Sequence, residues 1–274
     1  HDVFVPTMIE HVEKTGVHSG DSYALLPAQS FTEEEKKKMV DYAKRITKQL
    51  HFKGLMNVQF IVRNGEVYVL EVNPRASRTV PIVSKVTGVP MVQLATNVLL
   101  GKYLSEYVIQ SPSLPYVVLK YPVFSTYKLP GVDPLVGPEM KSTGEGISIA
   151  KTVQEAALKS FYPYLVKKKG AHEIYVDAPE KAASLIEAAR RFGLTVVTDE
   201  PFEQWLEKKE ALAFVSFMRD DESVQRRKQA LARHLLVCTE EETARLFFEA
   251  LQTDDFSVCS IQQWLKMMKE VVKK

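Results

Sequence analysis

Glu71, Asn73, Arg75 and Arg78 fall within eight residues of one another in the stretch VYVLEVNPRASRTVP, residues 67–81. An apolar, strand-like run there gives way to a carboxylate, an amide and two guanidinium groups. Core strands do not usually end that way. Carboxylate and amide oxygens suit a hard cation such as magnesium, which often takes one or two carboxylates and leaves its other positions to phosphate and water. Guanidinium forks suit phosphate oxygens. Ser77 is placed to cap the next helix, whose N-terminus would favour an anion. These residue types point to a metal–nucleotide phosphate site and to phosphoryl transfer. The plainer alternative is a solvated sheet face beside two structural arginines.

Two strands must present these groups. LMNVQFIV precedes the turn Asn64-Gly65, and EVYVLEVN follows it. Successive strand residues face opposite sides. Asn57 and Gln59 share one face of the first strand; Met56, Val58, Phe60 and Val62 share the other. Strict alternation puts Val67, Val69, Glu71 and Asn73 on one face of the second strand. A two-residue Asn-Gly turn would pair Gln59 with Leu70 and mix polar with apolar groups. A three-residue turn, or one bulge, would pair Gln59 with Glu71. Asn57, Gln59, Glu71 and Asn73 then gather on one face. A one-residue slip flips every side chain, so this second register is expected.

TGVHSGDS, residues 15–22, is a second polar concentration. Its glycines permit tight turns and close approach of backbone to a ligand. Taken alone it reads as a loop, and His11 and His18 read as structural histidines. No second histidine stands at i+4 from His18.

Composition bounds the rest. The 274 residues are 45% hydrophobic and 26% charged, with a formal net charge of +2. That describes a globular chain of about two domains. The charge is too small to suggest a nucleic-acid partner. The KKK runs at 36–38 and 167–169 read as solvated faces. No apolar run approaches the roughly 20 residues that a bilayer demands, and no signal peptide opens the chain, so no membrane role and a cytoplasmic location are expected. Cys238 and Cys259 lie in apolar runs and read as buried, reduced thiols. The opening HDVFVPTMIE lacks an initiator Met and suggests a piece of something longer.

Residues 3–9 and SYALLP (22–27) read as strands. Thr32 with Glu35 forms a capping box before a helix that puts Met39, Ala43, Ile46 and Leu50 on one face. Helices are expected near 78–87 and 91–101, then a strand near 115–124 and a Gly/Pro-rich loop over 129–146. Thr152 and Glu155 offer a second capping box for a helix to about residue 165. After KKKG (167–170), apolar runs alternate with amphipathic helices: EIYV then 179–192, LTVV then 201–209, LAFVSF then 222–232, HLLVC then 240–251, FSVCS then 261–272. This predicts a parallel sheet with helices on both faces. The fold class is α/β: an α+β portion over 1–166, then a three-layer parallel-sheet domain over 167–274.

EHVEKTGVHSGDS, GLMNVQF, VLEVNPRASRTVPIVSKVTGVP and PGVDPLVGPEMKSTGE occur in that order. Together they resemble motifs of the carbamoyl-phosphate synthase large-chain family, in its second, carbamate-phosphorylating half. LEVNPRAS alone would indicate only the wider ATP-grasp superfamily. The resemblance is dense over residues 1 to about 166 and implies an ATP-grasp fold there. It implies Gln59, Glu71 and Asn73 as ligands of Mg or Mn, with Gln59 and Glu71 also facing ATP. It implies that Arg75 and Arg78 contact the reacting phosphates and the carbamate. Gly16, Val17, His18 and Ser19 match the loop that holds the adenosine part of ATP. His11 and Ser22 match positions near a monovalent-cation site, which would take K. The implied reaction transfers the ATP γ-phosphoryl group to carbamate, giving carbamoyl phosphate and ADP for arginine or pyrimidine biosynthesis. The implied partner is a glutamine amidotransferase small chain, in an oligomeric enzyme. The family's earlier ATP-grasp portion has no counterpart in these residues, so the isolated chain is expected to be inactive. A different ATP-grasp carboxylate–amine ligase would share the metal site. An effector-binding or subunit-assembly module is the non-catalytic alternative.

The last hundred or so residues depart from the pattern. In the family, this domain resembles methylglyoxal synthase and holds nucleotide phosphates with Thr, Lys and Gly-rich strand ends. Here the matching runs read VVTDEP and FMRDDE. Only Thr198 is kept, and Asp199, Glu200, Asp220 and Asp221 would repel a phosphate at the strand tips. The expectation is a conserved fold with a lost nucleotide site.

Overall fold

A computed structural model describes residues 3–125, 131–253 and 255–272. The packing falls into two compact units, one of His1–Glu10, Leu26–Tyr116 and Val258–Lys274, the other of His11–Leu25 and Val117–Ser257. The division at residue 167 read from the sequence marks a change of strand–helix texture; the packing units cut the chain elsewhere.

In the first unit, α1 (Glu33–Gln49) begins with the expected capping box. The Glu35 N–H donates to the Thr32 hydroxyl at 3.2 Å, and the Thr32 N–H donates to the Glu35 carboxylate at 2.8 Å. Glu33, Glu34 and Glu35 also suit the positive end of the helix dipole. Met39 and Ala43 are buried, whereas Leu50 lies beyond the helix and is exposed. α1 packs on a two-stranded antiparallel hairpin of β3 (Asn57–Arg63) and β4 (Glu66–Asn73). α2 (Thr79–Thr87) stops at Gly88, whose φ of 71° favours glycine. α3 (Met91–Leu99) follows. The late helix α9 (Ile261–Val272) packs on α2, and its buried Trp264 meets Tyr116 edge-on with ring centres 5.5 Å apart.

The second unit carries a sheet of order β1-β2-β5-β6, made of β1 (Glu10–His11), β2 (Ala24–Leu26), β5 (Val117–Val123) and β6 (Gly144–Ala150). The strand expected over residues 3–9 is replaced by irregular chain, and β1 is short. Pro6 offers no N–H for a ladder. β6 was hidden in the sequence by TGEG. Gly146 is needed there because a Cβ would lie 2.3 Å from the Tyr121 ring. α4 (Val153–Leu165) follows, with the Glu155 N–H donating to the Thr152 hydroxyl at 3.1 Å. The box is incomplete, since the Glu155 carboxylate turns to the Lys151 and Ser257 N–H groups instead.

The parallel sheet forms as expected, in the order β10-β9-β7-β8. Its strands are β7 (Glu173–Val176), β8 (Thr195–Val197), β9 (Ala211–Val215) and β10 (Leu236–Cys238). Its helices are α5 (Ala183–Arg191), α6 (Phe202–Leu206), α7 (Asp221–Ala232) and α8 (Glu241–Ala250). Period-two alternation splits the core. Ile174, Val176, Ala213 and Val215 pack with Leu185, Ala189 and Phe247 on one side; Tyr175 and Phe214 pack with Phe202, Trp205 and Ala230 on the other.

FSVCS is not a fifth strand. The Ser257 N–H and hydroxyl donate to Glu155 at 2.9 Å, and the Phe256 ring packs edge-on against Tyr162. The segment thus covers α4 instead of extending the sheet. Cys238 is buried as expected, and burial pushes its thiol up to about 12; Cys259 is only half-buried.

Trp264 is a large buried anchor for a helix at the far end of the chain. Trp264→Ala should therefore cost roughly 3–5 kcal/mol of folding stability, read as a lower urea midpoint. An unchanged midpoint would mean that α9 contributes nothing to the first unit.

Candidate functional site

The hairpin reconciles two local rules. Arg63 pairs with Glu66, so Asn64 and Gly65 do form the two-residue turn, with φ of 54° and 76°. The ladder then shifts between Gln59 and Phe60: Phe60 pairs with Val69, and Gln59 pairs with Glu71. Leu70 is the extra residue of a bulge on β4. The expected pairing is present, reached through a bulge while the tight turn is kept. Strict alternation along β4 therefore fails at Leu70, and Glu71 and Asn73 part from the face of Val67 and Val69.

Directly opposed residues share a face. The pairs Gln59–Glu71 and Asn57–Asn73 accordingly gather four polar side chains on one side. The Asn73 amide donates to the Glu71 carboxylate at 2.8 Å. Val67, on the opposite side, is buried. Glu71 is exposed, and Gln59 and Asn73 are half-buried. Their oxygens form a hard donor set with a single carboxylate, which fits a magnesium or manganese ion that completes its shell from phosphate and water. Among the described residues, no group of three or more His, Cys, Asp or Glu side chains offers a self-sufficient metal site.

Beyond β4 the chain turns sharply, the Arg75 N–H donating to Asn73 O at 2.8 Å. Arg75 and Arg78 are both exposed. Arg78 itself occupies the N-cap of α2. Ser77 does not cap with its side chain, contrary to expectation. Its carbonyl accepts from the Val80 N–H at 3.2 Å, and its hydroxyl lies 2.6 Å from that of Thr79. The Ser77 hydroxyl is engaged by the Thr79 hydroxyl instead of a helix N–H.

The other predicted residues, His11, Gly16, Val17, His18, Ser19 and Ser22, belong to the second unit. There the 15–22 turn is bonded to the 131–143 loop. The His18 N–H donates to Gly137 O at 2.7 Å, and the Asp21 carboxylate accepts from the Lys141 and Ser142 N–H groups at 2.7 and 2.9 Å. Within the turn, the Gly20 N–H donates to His18 Nδ1 at 3.0 Å, and the Ser22 hydroxyl donates to His18 O at 3.3 Å. A Cβ at Gly20 would lie 2.9 Å from the Met140 sulfur, so the Met140 side chain would have to move aside. His11 retains an exposed surface, yet protein crowds it. That desolvation, followed by the charges of Lys120 and His18, lowers its pKa to about 4, so the imidazole is neutral at pH 7.

Sequence reasoning missed the buried charges behind this turn. Lys120 is 1% exposed; its ammonium donates to Ser19 O at 2.7 Å and lies 3.8 Å from Glu145. A lysine inside the apolar run VVLKYPV was the available signal. Glu13 is 6% exposed, and one of its carboxyl oxygens accepts from the Thr243 hydroxyl at 2.7 Å. The other oxygen finds no hydrogen-bond partner. Burial raises the Glu13 pKa to about 7, against the opposing pull of Thr243, backbone N–H groups and Lys120.

Residues 3–107 match the family described as "Carbamoyl-phosphate synthase L chain, ATP binding domain". The arginine-specific carbamoyl phosphate synthase large chain of Geobacillus stearothermophilus is 56% identical over 98% of this chain and 26% of that one. Its Bacillus subtilis counterpart is 43% identical over 91% of this chain and 24% of that one. A carbamoyl phosphate synthase large chain from Caldanaerobacter subterraneus is 46% identical over 71% of this chain and 19% of that one. The chain thus spans about a quarter or less of these relatives' length.

Glu13 gives this unit a pH signature. Its folded pKa of about 7 lies above the ordinary 4.5, so the folded state holds the proton more tightly. Its contribution is fully present below pH 4.5 and is lost as pH rises through 7. Glu13→Gln should therefore gain stability relative to the parent between pH 5 and pH 8, by roughly 3 kcal/mol at most. Urea melts at both values check this; parallel shifts would place Glu13 in a well-solvated setting.

Proposed function

Because the chain belongs, over this stretch, to the carbamoyl-phosphate synthase large-chain family, we propose that it supplies part of the site that phosphorylates carbamate. The observation that carries this reading is the Gln59–Glu71 pairing across the bulge, with Asn73 beside it and two arginines immediately downstream. On this reading Gln59, Glu71 and Asn73 hold Mg or Mn, which when bound neutralises charge on the ATP phosphates. Arg75 and Arg78 bind the transferred phosphoryl group and the carbamate, stabilising charge as it develops. Gly16, Val17, His18 and Ser19 hold the adenosine end of ATP. His11, neutral at pH 7, and Ser22 stand by a K site. ATP and carbamate become ADP and carbamoyl phosphate.

The reading extends to the whole protein. Residues 1–166 form the closing part of an ATP-grasp domain, and 167–274 a methylglyoxal-synthase-like domain. The full large chain works in the cytoplasm with a glutamine amidotransferase small chain, which makes the enzyme glutamine-hydrolysing. The arginine-specific names of two relatives favour supply of arginine biosynthesis. These residues do not complete a catalytic cycle on their own.

Glu71 is the decisive residue, as the only carboxylate of the set. In the full-length enzyme, Glu71→Ala should reduce carbamate phosphorylation by about a hundredfold or more, with an unchanged circular-dichroism spectrum and melting temperature. Retained activity would remove Glu71 from the site and leave the solvated-face alternative standing.

A further inference from the structure

The parallel sheet has one place where its topology invites a ligand. The chain passes from β7 outward to β8, then returns to lay β9 on the other side of β7. Open α/β sheets bind ligands at such a switch point, in the crevice beyond the carboxyl ends of the strands. Here that crevice opens past Val176 of β7 and Val215 of β9.

Protein groups fill it. Asp177 follows β7 and Ser216 follows β9, and the Ser216 hydroxyl donates to the Asp177 carboxylate. Arg227 enters from α7 and is 0% exposed. It donates to Ser216 Oγ and to Met218 O, each at 2.7 Å. It also grips Asp133 through two parallel bonds, Nε to Oδ1 at 2.6 Å and Nη2 to Oδ2 at 2.8 Å. Asp133 comes from the 131–143 loop, far away in sequence. Burial alone would raise its pKa, but the Arg227 hydrogen bonds and charge hold it below the ordinary value.

The same loop holds the His18 turn. Asp133 Oδ1 accepts from the Leu135 N–H at 3.2 Å, and Thr239, just past β10, accepts from the Val136 N–H at 3.3 Å. Gly137 then bonds His18, and Lys141 and Ser142 bond Asp21. A fully buried guanidinium needs an anion, and a bidentate carboxylate also fixes orientation. If the loop left, Arg227 would lose its bidentate partner and keep only the more distant charges of Asp177 and Asp220.

We propose that the Asp133 carboxylate is a built-in anion at the sheet's ligand crevice, and that the Asp133–Arg227 pair positions the His18 turn through the 131–143 loop. Both are positioning residues; neither touches a substrate. The inference rests on the reading of the His18 turn as a nucleotide loop.

The test uses the full-length enzyme and measures KM for ATP and kcat in carbamate phosphorylation. Asp133→Ala should raise KM by roughly fivefold or more with little change in kcat. Formate, a free carboxylate that fits the emptied place on Arg227, should lower KM again, while chloride at equal ionic strength should not. Arg227→Ala should raise KM and resist formate. Should Asp133→Ala fail to fold, the isosteric Asp133→Asn takes its place for the KM reading. An unchanged KM, or a raised KM that formate leaves untouched in a folded Asp133→Ala, overturns the proposal. His18→Ala separates the two readings. If it leaves KM unchanged, the nucleotide reading of the turn falls. If it raises KM while Asp133→Ala does not, only the positioning role falls.

Discussion

Burying a charge is expensive unless another group answers it, and the second unit is organised by that constraint. Lys120 and Arg227 are among its most deeply buried large side chains. Lys120 is met by Ser19 O and Glu145, and Arg227 by Asp133, Ser216 and Met218 O. Asp21, 2% exposed, is met by two backbone N–H groups. Most of these partners lie far away in sequence. The result is that the 15–22 and 131–143 segments, which have almost no regular structure, are tied to each other by hydrogen bonds. Glu13 accepts from Thr243 on one oxygen only, and its burial raises its pKa to about 7.

The hairpin of the first unit obeys a different constraint. Asn-Gly demands a two-residue turn, while segregation of polar from apolar side chains demands the neighbouring register. One surplus residue on β4 satisfies both. The cost is local: Leu70 and its neighbours Tyr68 and Val69 are exposed apolar groups. The gain is that a carboxylate and an amide from different strands stand opposite one another, a few residues before Arg75 and Arg78 in the chain.

Much of this was legible in the sequence, for identifiable reasons. The Thr32–Glu35 box, the Gln59–Glu71 pairing and the parallel alternation after residue 170 all follow from short-range spacing or from period two. The failures have equally local causes. Pro6 removes a donor from the run at 3–9. TGEG masked β6 because Gly146 answers to the Tyr121 ring, a neighbour from another strand. FSVCS has a strand's composition but spends its hydrogen bonds on α4. The long-range ion pair between Asp133 and Arg227 could not be read at all, since neither PGVDP nor SVQRRK names its partner. The site reading was carried chiefly by motif resemblance; the pairing of Gln59 with Glu71 is the part that physical reasoning reached unaided.

The first unit is assembled from three separate stretches, and its last contribution is α9. Val86, in α2, is fully buried, and Tyr116 is nearly so, with Trp264 of α9 against its ring. A chain emerging from the ribosome offers these apolar surfaces well before residues 261–272 exist to cover them. Contacts of such long sequence separation form late and slowly. For as long as synthesis takes to reach α9, the nascent first unit shows a sticky α2 surface of the kind chaperones bind.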